Sequence, residues 1–510
     1  MTDDIRNLSD QTKFAYLSHL DIYRDQGSVF TMPGYVAENG FDSDTEGVKV
    51  HDLRAFYFTS AATIYAVGTK ADGTGSKLFQ RDFGETEWKV PTFSEYQVEP
   101  DKDLAARPFL LGPQQIGAAE LYYPIINGTA LIGSGGNRTN VVRQGPNVSS
   151  PNWEEWRELA NFNTTGQLLT EQGFNGDWYV YPRSPQSGGS GIGRITSSDL
   201  TTIKTTNLGP STVKSGDYQV GFAGTQSGAE QQSRLVLWDS VSQLADQNIS
   251  LGSGVSAILG YPSNLWSIVM AEYTGPQNAN AVRGNGSPAM SIKLISGETP
   301  ETIYRIFMPT NTGSIVEPIF NGVYRDAMAW YARIPTNSAG TEFREGIWAF
   351  GRGDINSQMG TSVLLNTESL GRVETTHFFG LQPWFCHNED GSVSRLDNFE
   401  TGTYDVPATI ETLVYGAQSP YLKQFEGMTI NTSSLPAGGE VTVEYRVDRN
   451  TAWQPLATSD TEGTQRHSFT GTAGESIGRF QEIQFRITLL GKLELTNIFL
   501  EITETDDLPH

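Results

Sequence analysis

Short runs of alternating apolar and polar residues, bounded by turns rich in Gly, Asn and Ser, recur along the whole chain. Clear cases lie at residues 63–67, 233–238, 345–350, 440–447 and 482–489. A period of two marks a half-buried strand, and the turn residues between the runs mark hairpins. Helical spacing is rare. Phe14, Leu17 and Leu20 share one helical face, so a helix is expected over 10–20. A second, short helix is expected over 150–159, where Ser150 caps, Pro151 takes the first helical position and Glu154 and Glu155 follow.

The strand runs fall into a loose repeat between residues 48 and 405. Its units begin near 53–58, 119–123, 176–180, 217–222, 255–260, 322–327 and 373–379. The spacing is roughly 50 residues, about what four strands and their turns require in a propeller blade. Residues 399–409 break this pattern and read as a linker. Strands are then expected at 410–414, 423–430, 440–447, 465–469, 483–489 and 495–502, at sandwich spacing. The expected fold class is therefore all-β, an N-terminal β-propeller of about seven blades followed by a C-terminal β-sandwich. The expected division is 1–47 as an N-terminal segment, 48–405 as the propeller and 406–510 as the sandwich. The tail from 503 is expected to fray.

Composition narrows the function. The 510 residues carry 35 Lys and Arg against 58 Asp and Glu, a net charge of −23. An acidic chain does not neutralise phosphates in bulk, which argues against nucleic-acid and anionic-membrane binding. No apolar run is long enough for a membrane helix, so no membrane insertion is expected. The acidic start, MTDDIRNLSD, is unlike a secretory signal. Only 11 of the basic residues are Lys, and the acid excess fits a saline origin, where ions screen self-repulsion.

Candidate chemistry is sparse. The single cysteine, Cys386, excludes an intrachain disulfide and multi-cysteine metal sites, and it reads as a buried structural thiol. The six histidines have no metal-ligand spacing. Phosphate loops, nucleophile elbows and zinc-hydrolase pairs do not occur. A glycoside hydrolase needs two carboxylates, and Asp217, Glu272, Asp326 and Asp354 stand on or near blade strands. In so acidic a chain their presence says little, and the propeller turn Ser-x-Asp-x-Gly-x-x-Trp of sialidases does not occur. Asp42-Ser43-Asp44-Thr45-Glu46-Gly47 resembles the first half of a calcium loop, but Leu53 stands where the closing Glu belongs. Asn7, Asn127, Asn137, Asn147, Asn163, Asn248, Asn285 and Asn431 open glycosylation sequons. Trp153 and Trp156 would share a helical face, and Trp453 is expected to fill the sandwich core. No catalytic, cofactor or metal site is assigned, and no cofactor is expected.

Two stretches carry a resemblance. Leu20-Asp21-Ile22-Tyr23-Arg24-Asp25-Gln26-Gly27-Ser28-Val29-Phe30-Thr31-Met32-Pro33 resembles the opening of propeller-type structural proteins of tailed bacteriophages. Leu435-Pro436-Ala437-Gly438-Gly439-Glu440-Val441, Trp453-Gln454-Pro455-Leu456 and Phe480-Gln481-Glu482-Ile483 are similar to the C-terminal sandwich of virion and tail proteins. Together they cover about a quarter of the chain and carry no catalytic residue. The resemblance implies a non-enzymatic tail component (nozzle, tip or peripheral adhesion part) of a virus of a marine bacterium or haloarchaeon. Its partners would be other tail proteins, copies of itself and a host surface glycan or receptor. It would assemble in the host cytoplasm and reside in the virion tail. The alternative is a glycan-binding or glycan-cleaving propeller protein at a cell surface.

Overall fold

The computed structural model describes Thr2–Ile5, most of residues 14–38, 48–88 and 322–505, and the strands between 109 and 307, these last largely by their backbone course. Strands make up nearly all of it. Among the described residues the only helical piece is the 3-10 turn Glu368–Leu370. Among the described residues no helix is long and apolar enough to cross a membrane.

From residue 48 onward the chain builds antiparallel sheets one after another. A three-stranded sheet comes first, made of Val48–Phe58, Ala61–Lys70 and Ser76–Asp82. Four-stranded sheets follow over 109–159, 168–206, 208–253 and 256–307. The last three of these run in simple up-and-down order, each strand pairing with its neighbour in sequence. Near the end of this region Val373–Phe379, Gln382–His387 and Ser392–Leu396 form three strands of a sheet, and Tyr35–Ala37 from the N-terminal segment supplies the fourth.

Two larger sheets hold the rest. One has nine strands. It begins with Gly322–Tyr324, Ala327–Pro335, Phe343–Gly351 and Gly360–Asn366, takes in Phe14–Ser18, and continues through Ala408–Thr412, Ile483–Leu490, Glu440–Val447 and Gln454–Ser459. The other contains Leu20–Asp21, Val29–Thr31, Glu494–Glu504, Lys423–Thr432 and Arg466–Thr470. Their facing sides make the main core. Ile410, Val441, Val443, Phe485 and Ile487 meet Phe425, Met428, Ile430, Phe469 and Leu500 there. Alternation along Lys423–Thr432, reset once by the register shift between Phe425 and Gly427, and along Phe485–Leu490 sends these apolar side chains inward.

Both expected helices are strands. Phe14–Ser18 lies between Gly360–Asn366 and Ala408–Thr412, parallel to the first and antiparallel to the second. Leu17 enters the core while Tyr16 lies on the opposite side of the sheet, a period of two that the helical reading of Phe14, Leu17 and Leu20 overlooked. Two open strand edges outweigh local propensity, since a strand inserted there satisfies the backbone groups of both. Trp153–Leu159 is the edge strand of its sheet, with a register shift opposite Val141 and Val142. An edge tolerates the charged run Glu154, Glu155 and Arg157. The shared helical face of Trp153 and Trp156 therefore does not exist.

The chain passes from one large sheet to the other at His19, whose φ of 60° is left-handed. Its ring is fully buried. Nε2 lies 3.1 Å from Pro33 O, and the Asn366 amide donates to Nδ1 at 3.4 Å. One acceptor and one donor suit a neutral imidazole with its proton on Nε2. Burial holds its pKa down at about 4, against the pull of the Pro33 and Met32 carbonyls.

Residues 399–409 form a tied turn. Asn398 Oδ1 accepts the amides of Glu400 and Thr401, Asp397 Oδ2 accepts that of Thr403, and Gly34 N donates to Thr403 O at 2.8 Å. Beyond it, strands stand at each of the six expected places, and Glu440–Val447 matches to the residue. The last strand runs to Glu504, and Thr505 N bonds Leu422 O, so ordered backbone extends into the expected fray.

Candidate functional site

The outer side of the nine-stranded sheet changes character along its width. Over its first four strands that side carries Met328, Trp330, Ile334, Trp348 and Phe350, packed against Met290 and Ile292 of the preceding sheet. Trp330 Nε1 points at Met290 Sδ, 3.4 Å away. From Ala408–Thr412 to Gln454–Ser459 the same side is polar: Thr442, Glu444, Arg446, Arg486 and Thr488 are half-buried, and Glu411 and Gln484 are buried among them. Cross-strand register assembles it in rows. Thr409 pairs with Thr488, Thr488 with Thr442, and Thr442 with Thr458. One step along, Tyr16 pairs with Glu411, Glu411 with Arg486, and Arg486 with Glu444. The next step pairs Gln484 with Arg446.

Glu411 is the hub. Its carboxylate is 5% exposed. Oε1 accepts Arg486 Nε at 3.1 Å and Nη2 at 2.8 Å, and Oε2 accepts Arg344 Nη2 at 2.7 Å. Such charge-assisted pairs fix the geometry of both guanidinium groups. Arg486 also approaches Glu444 at 3.6 Å. Arg344 stacks over Tyr16 at 3.8 Å, and Arg446 and Arg486 lie 4.5 and 4.2 Å from the Trp453 ring centroid. Trp453 is thus half-buried on the outer side beneath cations, where the core had been expected to hold it.

Arg446 differs from the other two arginines. Its Nε and Nη2 donate to one neutral acceptor, Gln484 Oε1, at 2.8 and 2.5 Å. The Gln484 amide is oriented by Nε2, which donates to Thr412 O at 2.7 Å. Burial lowers the Arg446 pKa. Glu411 raises it, and the like charges of Arg486 and Arg344 lower it further. Beside Arg446 opens a cavity of about 110 Å3 lined by Val414, Arg446, Glu482, Ile483 and Gln484. Tyr304, 40% exposed on Thr299–Phe307, senses the charge of Arg344 from the neighbouring sheet.

The other charge clusters are internal ties. Asp21 accepts Tyr324 Oη at 2.8 Å and Arg325 Nε at 3.2 Å. Glu38 bridges Arg81 and Arg395, and Arg81 lies near the rings of Trp88 and Trp384. Glu345 takes the Tyr331 hydroxyl and Arg333. Glu368, at the surface, has its carboxyl raised above the ordinary range by loss of solvation first and by the Glu345 charge second. Among the described residues no group of three His, Cys, Asp or Glu could hold a metal ion.

Cys386 is fully buried, as expected of a structural thiol. Asp217, Asp326, Asp354 and the Asp42-Asp44-Glu46 loop lie outside the described residues. Glu272 closes the strand Trp266–Glu272. Of the sequon asparagines, Asn127, Asn137, Asn248 and Asn431 stand in strands, and the others lie outside the described residues. Reading the sequence alone missed Glu411, Arg344, Arg446, Arg486 and Gln484. The signal available was the outward set of each alternating run, Thr442-x-Glu444-x-Arg446 and Gln484-x-Arg486-x-Thr488. Only register could bring the sets together.

No family model and no curated protein matches the chain. Solved structures similar to it include the exo-β-1,3-galactanase of Phanerochaete chrysosporium with galactose, at 8% identity over 92% of this chain and 100% of that one, TM-score 0.31. The Trypanosoma rangeli sialidase in complex with sialic acid is 10% identical over 94% and 96%, TM-score 0.31. A Cellvibrio cellulosa α-L-arabinanase mutant is 9% identical over 62% and 96%, TM-score 0.27. These names correct two expectations, the virion tail component and the chain without enzymatic activity, since the similar structures are glycan-cleaving enzymes. At such scores no substrate or catalytic residue is carried over from them.

Proposed function

We propose that this chain recognises glycans on the open outer side of its nine-stranded sheet. The observation that carries this reading is the Trp453 ring with Arg446 and Arg486 over it, beside a threonine row and a small polar cavity. Sugars present apolar C–H faces and rings of hydroxyls. An aromatic ring stacked with guanidinium groups and set among oriented donors and acceptors offers contacts to both. In architecture, we propose a propeller of about seven blades and a β-sandwich. The successive small sheets and the strand Tyr35–Ala37 support the propeller, and the core between the two large sheets supports a sandwich. The expected boundary at 405/406 needs correcting, because the nine-stranded sheet runs on from the sandwich strands into Phe14–Ser18 and the strands at 322–366. The partner class is a surface glycan.

Cleavage is a second reading, and one observation favours it. Loss of solvation holds the surface carboxyl of Glu368 above its ordinary range, and both Glu368 and Glu411 act electrostatically on Tyr16. Glycoside hydrolysis uses a pair of carboxyls. The deciding experiment is a glycan array probed with the whole chain, and again with Trp453→Ala, followed by reducing-end assays on whatever is retained. Retention that Trp453→Ala abolishes supports recognition. Release of sugar that Glu368→Gln abolishes adds cleavage. An array with no retained glycan overturns both.

A further inference from the structure

Resting on the glycan reading, the geometry of Arg446 narrows the ligand class. A guanidinium offers two hydrogen-bonding edges, one through Nε and Nη2 and one through Nη1 and Nη2. In Arg446 the first edge is spent on Gln484 Oε1, which its own bond to Thr412 O holds in place. The second edge has no partner among the described residues. Arg344 and Arg486 are both engaged by carboxylates, whereas Arg446 is ion-paired with none among the described residues. Trp453 lies against its guanidinium plane, so the free edge is already oriented. The cavity adjoins this residue.

We propose that the Nη1–Nη2 edge of Arg446 receives the carboxylate of an acidic sugar residue in a bidentate pair. Planar carboxylate geometry matches a guanidinium edge.

The test is calorimetric titration of the whole chain with trigalacturonate and with its fully methyl-esterified, neutral form. Trigalacturonate is expected to bind about tenfold or more tightly than the ester, the worth of one charge-assisted bidentate contact. That preference should shrink as salt rises. Arg446→Gln should bring the two affinities together by weakening the acid form alone. Arg446→Lys, which keeps the charge and loses the fork, should fall between, and unchanged thermal melting of both variants shows that the fold is retained. Equal affinity for acid and ester, an acid-form affinity indifferent to Arg446→Gln, or no binding of trigalacturonate overturns the carboxylate assignment. Tri-glutamate binding as tightly as trigalacturonate overturns it too, in favour of a peptide acid. Retention of neutral glycans on the array would leave the broader reading standing in each case.

Discussion

The two halves of the nine-stranded sheet share hydrogen bonding and one continuous core on their inner side. Their outer sides were put to opposite uses. On one half Trp330, Trp348, Phe350 and Met328 stand at the outward positions, and the preceding sheet covers them with Met290 and Ile292. On the other half the same positions carry Thr, Glu, Arg and Gln, half-buried except for Glu411 and Gln484, which are buried with hydrogen-bond partners. Burying the second set would strand charges and hydroxyls without partners, at several kcal/mol apiece by order of magnitude. Chemistry at alternate positions thus decides which half can carry a neighbouring sheet and which can carry a ligand. Tyr16 and Arg344 mark the boundary. Tyr16 packs against the apolar cluster, and burial raises its hydroxyl pKa. Arg344 stacks on it and reaches across to Glu411.

The contrast can be broken most severely from the covered half. Trp330→Ala, at a fully buried position, should cost about 3–5 kcal/mol, read as a lower urea midpoint. If it costs no more than a surface change, the covering sheet is not packed as described.

Acid acts next, at the strand that joins the halves. The folded pKa of His19 is about 4 against an ordinary 6.5. The unfolded chain therefore binds the proton first, and stability is full above pH 6.5 and falls as pH drops toward 4. The expected loss is about 3 kcal/mol across that window. Denaturant titrations at several pH values check it, and His19→Gln should flatten the dependence.

On the open half, Glu411→Gln should cost about 2 kcal/mol in stability, because it leaves Arg344 and Arg486 without their shared carboxylate. The partners' partial exposure keeps the figure below that of a fully buried pair. Glycan binding should weaken with it as the arginines lose their orientation. The smallest effect is expected at the threonine row, where Thr488→Val should change stability by about 0.5 kcal/mol or less. A large loss there would mean that this side is covered in the folded protein.

Much of the fold was legible in period and punctuation. The alternation in Glu440-Val441-Thr442-Val443-Glu444 specifies a strand, and it also specifies that Val441 and Val443 point one way and Thr442 and Glu444 the other. The burial of Cys386 followed from its type and its apolar neighbours. Trp453 shows where this reasoning stops. A tryptophan at a strand start reads as core by hydrophobicity, yet here Arg446 and Arg486 lie over it on the outer side. Nothing local encodes that, because the two arginines lie on different strands and reach one ring only through register.

What the sequence determined by itself was therefore one-dimensional: all-β character, the places of the six strands beyond residue 409, the two faces of alternating strands such as Glu440–Val447, and an acidic chain with a lone buried thiol. Each follows from short-range steric and solvation rules acting on neighbours in the chain. Only the tertiary structure decided that Phe14–Ser18 is a strand, that the two large sheets share its segment, and that Arg344, Arg446, Arg486, Glu411, Gln484 and Trp453 meet on one side. These depend on which strand edges find each other, a pairing between residues hundreds of positions apart. The cooperative burial of both sheets selects that pairing, and no local propensity contains it.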